Sequence, residues 1–362
     1  MVYFSLQVQF YSTKAMFLKK GSKISLDKFI YKALYDKNKG YYMKGNPIGS
    51  KGDFITSPNI SIMFSEMIAI WIISFWENIG CPKKFNIIEL GAGNGEMMYQ
   101  IMNAVKKFKN FDKSSNFIIF EKSHYLKKLQ KNKIKFQNIK WINKLEKISK
   151  FPTIFLANEF FDALPIKQFI CKQNIWYEKY IISKGKSFKF VDQKIKKNTI
   201  EKLLKQKILK NQKFVEFSPL GNEILGSISK IIKKNNGGIL IIDYGYKSKK
   251  MFNTLQSIKG HKKNNPLENI YKADITHLIN FSFLEKKIEN LKINSVYLTT
   301  QREFLIKMGI LERAEIISKD MPFLKKSDIY FRIRRLIDKK QMGTLFKVLF
   351  ATKKKNNFNL GF

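Results

Sequence analysis

The chain has 362 residues, enough to bury a full core, with 68 lysines and arginines against 28 acids and a net charge of +40. Two cysteines, Cys81 and Cys171, exclude a disulfide framework and a thiolate zinc site and read as ordinary buried or half-buried residues, while three histidines leave little for a His-based metal centre. The basic residues are mainly lysines spread among abundant Asn, Ile and Phe, the mix of an A+T-rich coding sequence, so the charge reads as compositional and nucleic acid is not an expected partner.

The first twenty residues, MVYFSLQVQFYSTKAMFLKK, lack acids and read as an organellar presequence without arginine, or as an extension upstream of a second candidate start, Met16. Residues 1–24 are set apart on that ground. A helix is expected over Ser25–Tyr35, capped by Ser25, with Leu26, Phe29, Ile30, Ala33 and Leu34 on one face. The loop that follows, to Ser61, is dense in Gly, Asn and Pro. Its aromatics Tyr41, Tyr42 and Phe54 predict an ordered loop that sets Asp53, Thr56 and Ser57 against something. Ile60–Ile79 reads as a buried helix, because Ser61, Ser65 and Glu66 interrupt it too much for a membrane span.

Asn86–Tyr99, NIIELGAGNGEMMY, is the most informative stretch. An apolar strand ends at Glu89, glycines follow at 91, 93 and 95, and an amphipathic helix runs on to Val105. So tight a turn needs positive φ or bare backbone, and a ligand can then approach without meeting a Cβ. The pattern E-x-G-x-G-x-G is shorter than the dinucleotide fingerprint G-x-G-x-x-G. It resembles motif I of Rossmann-like methyltransferases that bind S-adenosylmethionine. Phe117–Glu121 is the next expected strand, with Glu121 at the position where such sheets grip ribose hydroxyls. Ile139–Ile142 is a third, with Trp141 in the core, and Thr153–Ala157 a fourth that runs into NEFFDALP. Asn158, Glu159 and Asp162 thereby fall at the carboxyl end of a central strand, where open α/β sheets bind ligands. A carboxylate beside Phe160 and Phe161 is costly without a partner.

Residues 166–236 read as an insertion over the active-site face, with a hairpin at 166–183, a lysine-rich segment of no clear fold, and a helix opened by Ser218-Pro219. A fifth strand is expected at 238–246 ending in Asp243, a loop over Gly260–Ala273, further strands at Ser295–Thr299 and Phe346–Thr352, and a helix at Gln301–Met308. No internal repeat or low-complexity linker breaks the chain. Residues 25–352 are read as a single domain, 25–80 being its helical and loop N-terminal region, with 353–362 a tail.

Taken together, ALYDKNKGYY, GDFITSPNISIMFSE, IIELGAGNGEMM, LANEFFDALPIKQF, FVEFSP, LIIDYGY, ADITHLINF and LTTQREFLIKMGI resemble, in order, the family of MidA and the mitochondrial complex I assembly-factor protein arginine methyltransferase. The likeness covers about residues 25–310, and Ala92 stands where relatives often carry proline. The resemblance implies an α/β, Rossmann-like class I methyltransferase fold with a seven-stranded, mostly parallel sheet, an N-terminal helical extension and an insertion after the fourth strand. It implies S-adenosyl-L-methionine as cofactor and symmetric dimethylation of an arginine in the complex I subunit near the quinone site, or its bacterial equivalent. The expected compartment is the mitochondrial matrix in a eukaryote and the cytoplasm in a bacterium. Glu89, Gly91, Ala92, Gly93, Gly95, Glu121 and Asn158 are the expected cofactor contacts, and Glu159, Asp162 and Asp53 the expected catalytic carboxylates. Two other readings stand beside this one: a noncatalytic assembly factor on the same fold, and an amide or nucleic-acid amine methyltransferase, since Asn158-Glu-Phe-Phe161 loosely resembles an Asn-Pro-Pro-aromatic loop without its prolines.

Overall fold

A computed structural model describes residues 18–362 apart from 46, 50–51, 186, 206–207, 210, 294 and 354–356. The expected presequence and the Met16 start fall outside the described residues. Seven strands form the central sheet: β1 Phe85–Leu90, β2 Ser115–Phe120, β3 Ile139–Ile142, β4 Thr153–Asn158, β5 Gly237–Tyr246, β6 Ser295–Thr300 and β7 Phe346–Thr352. Their order is β6-β7-β5-β4-β1-β2-β3. All neighbours are parallel except β7, which runs against both β5 and β6. A two-residue strand, Ile279–Asn280, adds an eighth alongside β5.

β1 is buried at every position, as a strand covered on both faces must be. One face carries α1's successors in the chain: α2 Ile62–Asn78, α3 Glu96–Val105, and later helices around Phe304 and Ile333. The other carries Pro219–Asn235 and Phe281–Asn290. Here α1 is Leu26–Tyr35, whose apolar face packs on Ile166, Ile181 and Ile275. Trp71 of α2 meets Phe350 of β7 edge-on at 4.8 Å and Phe358 at 5.3 Å, and its indole N–H donates to the Leu360 carbonyl. Each such aromatic pair adds about 0.5–1.5 kcal/mol beyond the area it buries. Chain end and sheet are thereby tied together.

The departures from the sequence reading are local. The helix expected over Ile60–Ile79 is present as α2 but starts two residues later: Ser57–Ile60 is a separate turn, Ser61 is extended (φ −149°), and its hydroxyl caps α2 at the Met63 N–H. Ser25 does not cap α1 and donates instead to Asp27. The loop at Gly260–Ala273 contains a strand, Lys262–Asn264, that joins Gln256–Lys259 and Asp274–Thr276 in a three-stranded sheet. Cys81 is exposed rather than buried, and Trp141 is half-buried, donating to Gln130.

Within 166–236 a second sheet forms. Lys167–Lys172 and Ile175–Ser183 make the hairpin, turned by Gln173 and Asn174 at positive φ. Phe214–Phe217 and Phe188–Lys194 extend it, and Lys23–Ser25 from the N-terminal region completes it. Part of the lysine-rich segment is therefore folded as strand and as the helix Lys197–Lys205.

Candidate active site

The strand register decides what meets. Leu90 lies opposite Phe120, and Ile242 opposite Asn158, so β1, β2, β4 and β5 end along one edge. The strand order reverses between β1 and β4, the place where open α/β sheets bind their ligands. Glu89, Glu121, Asn158, Glu159 and Asp243 are delivered to that edge by strand ends far apart in sequence.

At the cofactor side, Gly91, Gly93 and Gly95 have φ of +64°, +53° and +80°. Gly91 N–H donates to the Phe120 carbonyl, and Gly95 opens α3. A Cβ on Gly91 would stand 2.8 Å from the Phe160 ring, and one on Gly93 would stand 2.3 Å from Ile48 Cδ1. The glycine turn and the loop after β4 are thus in van der Waals reach of each other. Ala92 is buried. Glu121 follows β2 directly; one oxygen accepts from the Ser123 N–H at 2.8 Å and the other from Gln130 Nε2 at 3.0 Å. Glu89 is buried and its Oε2 has no partner among the described residues, as is true of Asn158 Oδ1. Burial pushes the Glu89 carboxyl up to about 8, with the Glu121 charge adding to the rise. Bare backbone beside two orphaned buried acceptors fits a ligand bearing ammonium or hydroxyl donors.

The acceptor side is an acidic cluster in which Asp162, Asp243 and Asp274 are buried and Glu159 is half-buried. Glu159 has φ +48°, a conformation non-glycine residues rarely adopt, and its N–H is pinned to the Ile242 carbonyl at 2.9 Å. The strained turn aims its carboxylate at the Ser57 N–H (3.3 Å) and at Asn158 Nδ2 (3.3 Å). Asp243 Oδ2 accepts from the N–H groups of Phe161 and Asp162, which fixes the loop. Asp162 is buried with Oδ1 unpartnered. Asp274 joins from the three-stranded sheet and accepts from the Tyr42 hydroxyl at 2.8 Å.

Burial raises all four acids, and each of Glu159, Asp243 and Asp274 is raised further by the charge of Asp162. Glu159 is pushed up to about 8, Asp274 to about 7 and Asp162 to about 6, with Asp243 also well up. His277, whose N–H donates to the Asp162 carbonyl, is pushed down to about 4 by burial and stays neutral. The cluster is held by hydroxyls, amides and backbone N–H groups.

Asp53 takes a different place. It is half-buried, accepting from the Tyr41 hydroxyl and the Gly260 N–H, so it ties the N-terminal loop to the 256–264 hairpin. Its charge is felt at Asp274. Of the residues singled out in the sequence, Glu89, Gly91, Gly93, Gly95, Glu121, Asn158, Glu159 and Asp162 are gathered along the strand ends, and Asp53 borders them. Asp274 and Tyr244, whose hydroxyl donates to the Asp162 carboxylate, were not singled out, and Tyr42 was read only as an aromatic that orders its loop. The segments ADITHLINF and LIIDYGY that hold Asp274 and Tyr244 were legible, and an acid at the start of a strand beside a tyrosine-rich loop was the available signal.

Among the described residues no group of three or more His, Cys, Asp or Glu is placed to hold a metal, and no helix is long and apolar enough to cross a membrane.

Comparison with known proteins points the same way. The model of a family described as S-adenosyl-L-methionine-dependent methyltransferase matches residues 67–299. The mitochondrial protein arginine methyltransferase NDUFAF7 homolog of Caenorhabditis elegans is 31% identical over 296 residues, covering 76% of this chain and 69% of that protein. Human NDUFAF7, also named a mitochondrial protein arginine methyltransferase, is 28% identical over 331 residues, covering 83% and 73%. A crystal structure of a Burkholderia thailandensis protein bound to S-adenosyl-homocysteine superposes with a TM-score of 0.79 at 20% identity, covering 94% of this chain and 90% of that one. That likeness establishes the fold.

Proposed function

The chain belongs to the MidA and NDUFAF7 family of S-adenosyl-L-methionine-dependent methyltransferases, and from that premise we propose that it methylates a protein arginine. We assign the target to the complex I subunit beside the quinone site, or its bacterial equivalent, and the product to symmetric dimethylarginine. The compartment follows the target: mitochondrial matrix in a eukaryote, cytoplasm in a bacterium. The observation that carries the reading is the acidic cluster of half-buried Glu159 with buried Asp162, Asp243 and Asp274, in which Asp162 Oδ1 is left without a partner.

When bound, S-adenosylmethionine supplies a methyl group already activated by its sulfonium. What remains for the protein is positioning. Gly91–Gly95 and Ala92 present bare or nearly bare backbone, Glu89 and Asn158 offer acceptors beside it, and Glu121, fixed by Ser123 and Gln130, is set for ribose hydroxyls. On the other side, a guanidinium keeps its proton in water, with a pKa above about 12. Glu159 and Asp162 accept its paired N–H groups and orient one nitrogen. Their raised pKa values mean that arrival of the cation draws the cluster into its ionised form, and Asp162 Oδ1 is free to take the proton the substituted nitrogen gives up. Asp53 closes the loop over this face through Tyr41 and Gly260.

The test is transfer of labelled methyl from S-adenosylmethionine into a lysate lacking this protein, followed by mass spectrometry of the labelled band. Label on an arginine of a respiratory-complex subunit supports the reading. Label on glutamine or nucleic acid overturns the substrate class, and cofactor binding without transfer to any subunit overturns the activity.

A further inference from the structure

Two helices form a hairpin beyond the sheet, Ile310–Ser318 and Phe323–Ile337. Its base is anchored. Ile310, Ala314, Ile333 and Leu336 are buried, Arg313 pairs with both Glu66 oxygens at 2.9 Å, and Arg332 donates to the Ile60 carbonyl. Its tip is not. Between buried Ser318 and half-buried Ile329, every residue from 319 to 328 is exposed. At that tip Phe323 and Leu324 are each 80% exposed and Ile316 is 68% exposed, with Met321 beside them.

We propose that this tip, Ile316, Met321, Phe323 and Leu324 flanked by three lysines (Lys319, Lys325 and Lys326) and one acid (Asp320), inserts into the interfacial layer of an anionic lipid bilayer. The proposal does not rest on the arginine reading. Contiguous exposed apolar side chains mark either a protein or a membrane contact. Protein interfaces favour Tyr, Trp and Arg and are poor in Lys. The tip instead pairs Phe, Leu and Ile with lysines, whose stems can lie along apolar surface while the ammonium reaches the headgroups. It is a convex projection, which a fluid bilayer accommodates without a complementary pocket. The net charge of +40 supplies attraction toward an anionic surface at long range, and the apolar wedge supplies a component that salt does not screen.

The full chain is mixed with vesicles of phosphatidylcholine alone, or of phosphatidylcholine and phosphatidylglycerol, and sedimented at low salt and at about 0.5 M salt, where the Debye length is only a few ångström. Wild type should stay on the anionic vesicles at high salt. F323S/L324S should partition about tenfold less there, since two large apolar side chains no longer enter lipid. L204S, which removes an exposed leucine elsewhere, should bind as wild type. Unchanged melting temperature in both variants shows that the fold is kept. Equal binding of F323S/L324S and wild type would reduce the adsorption to overall charge and overturn the proposal. So would failure of wild type to bind, or a double variant that is altered only in self-association or in contact with a protein.

Discussion

The two halves of the site are built on different principles. The cofactor half is one contiguous stretch, strand, glycine turn and helix, whose work is done by backbone and by the lack of side chains at Gly91, Gly93 and Gly95. The acceptor half is assembled from four separate segments. Tyr42 reaches Asp274 across 232 residues, Ser57 reaches Glu159 across 102, and Asp243 holds the Phe161 and Asp162 amides from 82 and 81 residues away. A cradle can be written locally. A cluster of like charges in a dry site requires the whole sheet to be in register, and its raised carboxyls are the cost of that arrangement.

The contrast can be broken from either side. The largest effect belongs to Gly93→Val. A branched residue at φ +53° is strained and faces Ile48 Cδ1, so calorimetry should show no S-adenosylmethionine binding and methyl transfer should vanish. Retained tight binding would mean the turn is not the cradle. Glu159→Gln should separate the halves: turnover should fall about 100-fold or more, as for loss of a positioned acid or base, with cofactor affinity within a fewfold of wild type. Unchanged methylation would remove Glu159 from the reaction. Asp274→Asn should have a smaller effect, about tenfold on kcat/KM, because Asp274 acts beside the cluster through Tyr42 and its charge.

The smallest effect is on stability. The folded carboxyls of Glu159 (about 8) and Asp274 (about 7) lie above their ordinary values of 4.5 and 3.8. The native state therefore holds more protons than the unfolded chain between those limits, and its stability should fall as pH rises through that window. Thermal melts should drop by several degrees from pH 5 to pH 8.5, and less steeply in Glu159→Gln. Turnover should run the opposite way, rising with pH as the cluster ionises. A melting temperature flat across that range would contradict the buried, proton-holding cluster.

The same contrast explains what the sequence disclosed. The glycine turn, the five strands that prove parallel and the chain positions of β6 and β7 were legible because apolar runs and glycine spacing are local signals. Glu121 and Asn158 followed from their places at strand ends. Asp274 did not, because nothing in DITHLINF announces that a three-stranded sheet will carry it against Tyr42. Ser61 moved the start of the helix expected from Ile60, since an extended serine whose hydroxyl caps the Met63 N–H opens it at Ile62. The strand at Lys262–Asn264 was hidden by its polar composition and is held by pairing with Ser257, Ile258 and Lys259 rather than by burial.

The central claim is that the glycine turn and the acidic cluster face one reaction centre. A crystal structure with S-adenosyl-homocysteine and an arginine-containing substrate peptide measures this directly. The account predicts the nucleoside over Gly91–Gly95 with its sulfur directed toward Glu159 and Asp162, and the guanidinium held between those two carboxylates. A cofactor bound with its sulfur turned away from that cluster, or an arginine seated elsewhere, would contradict it.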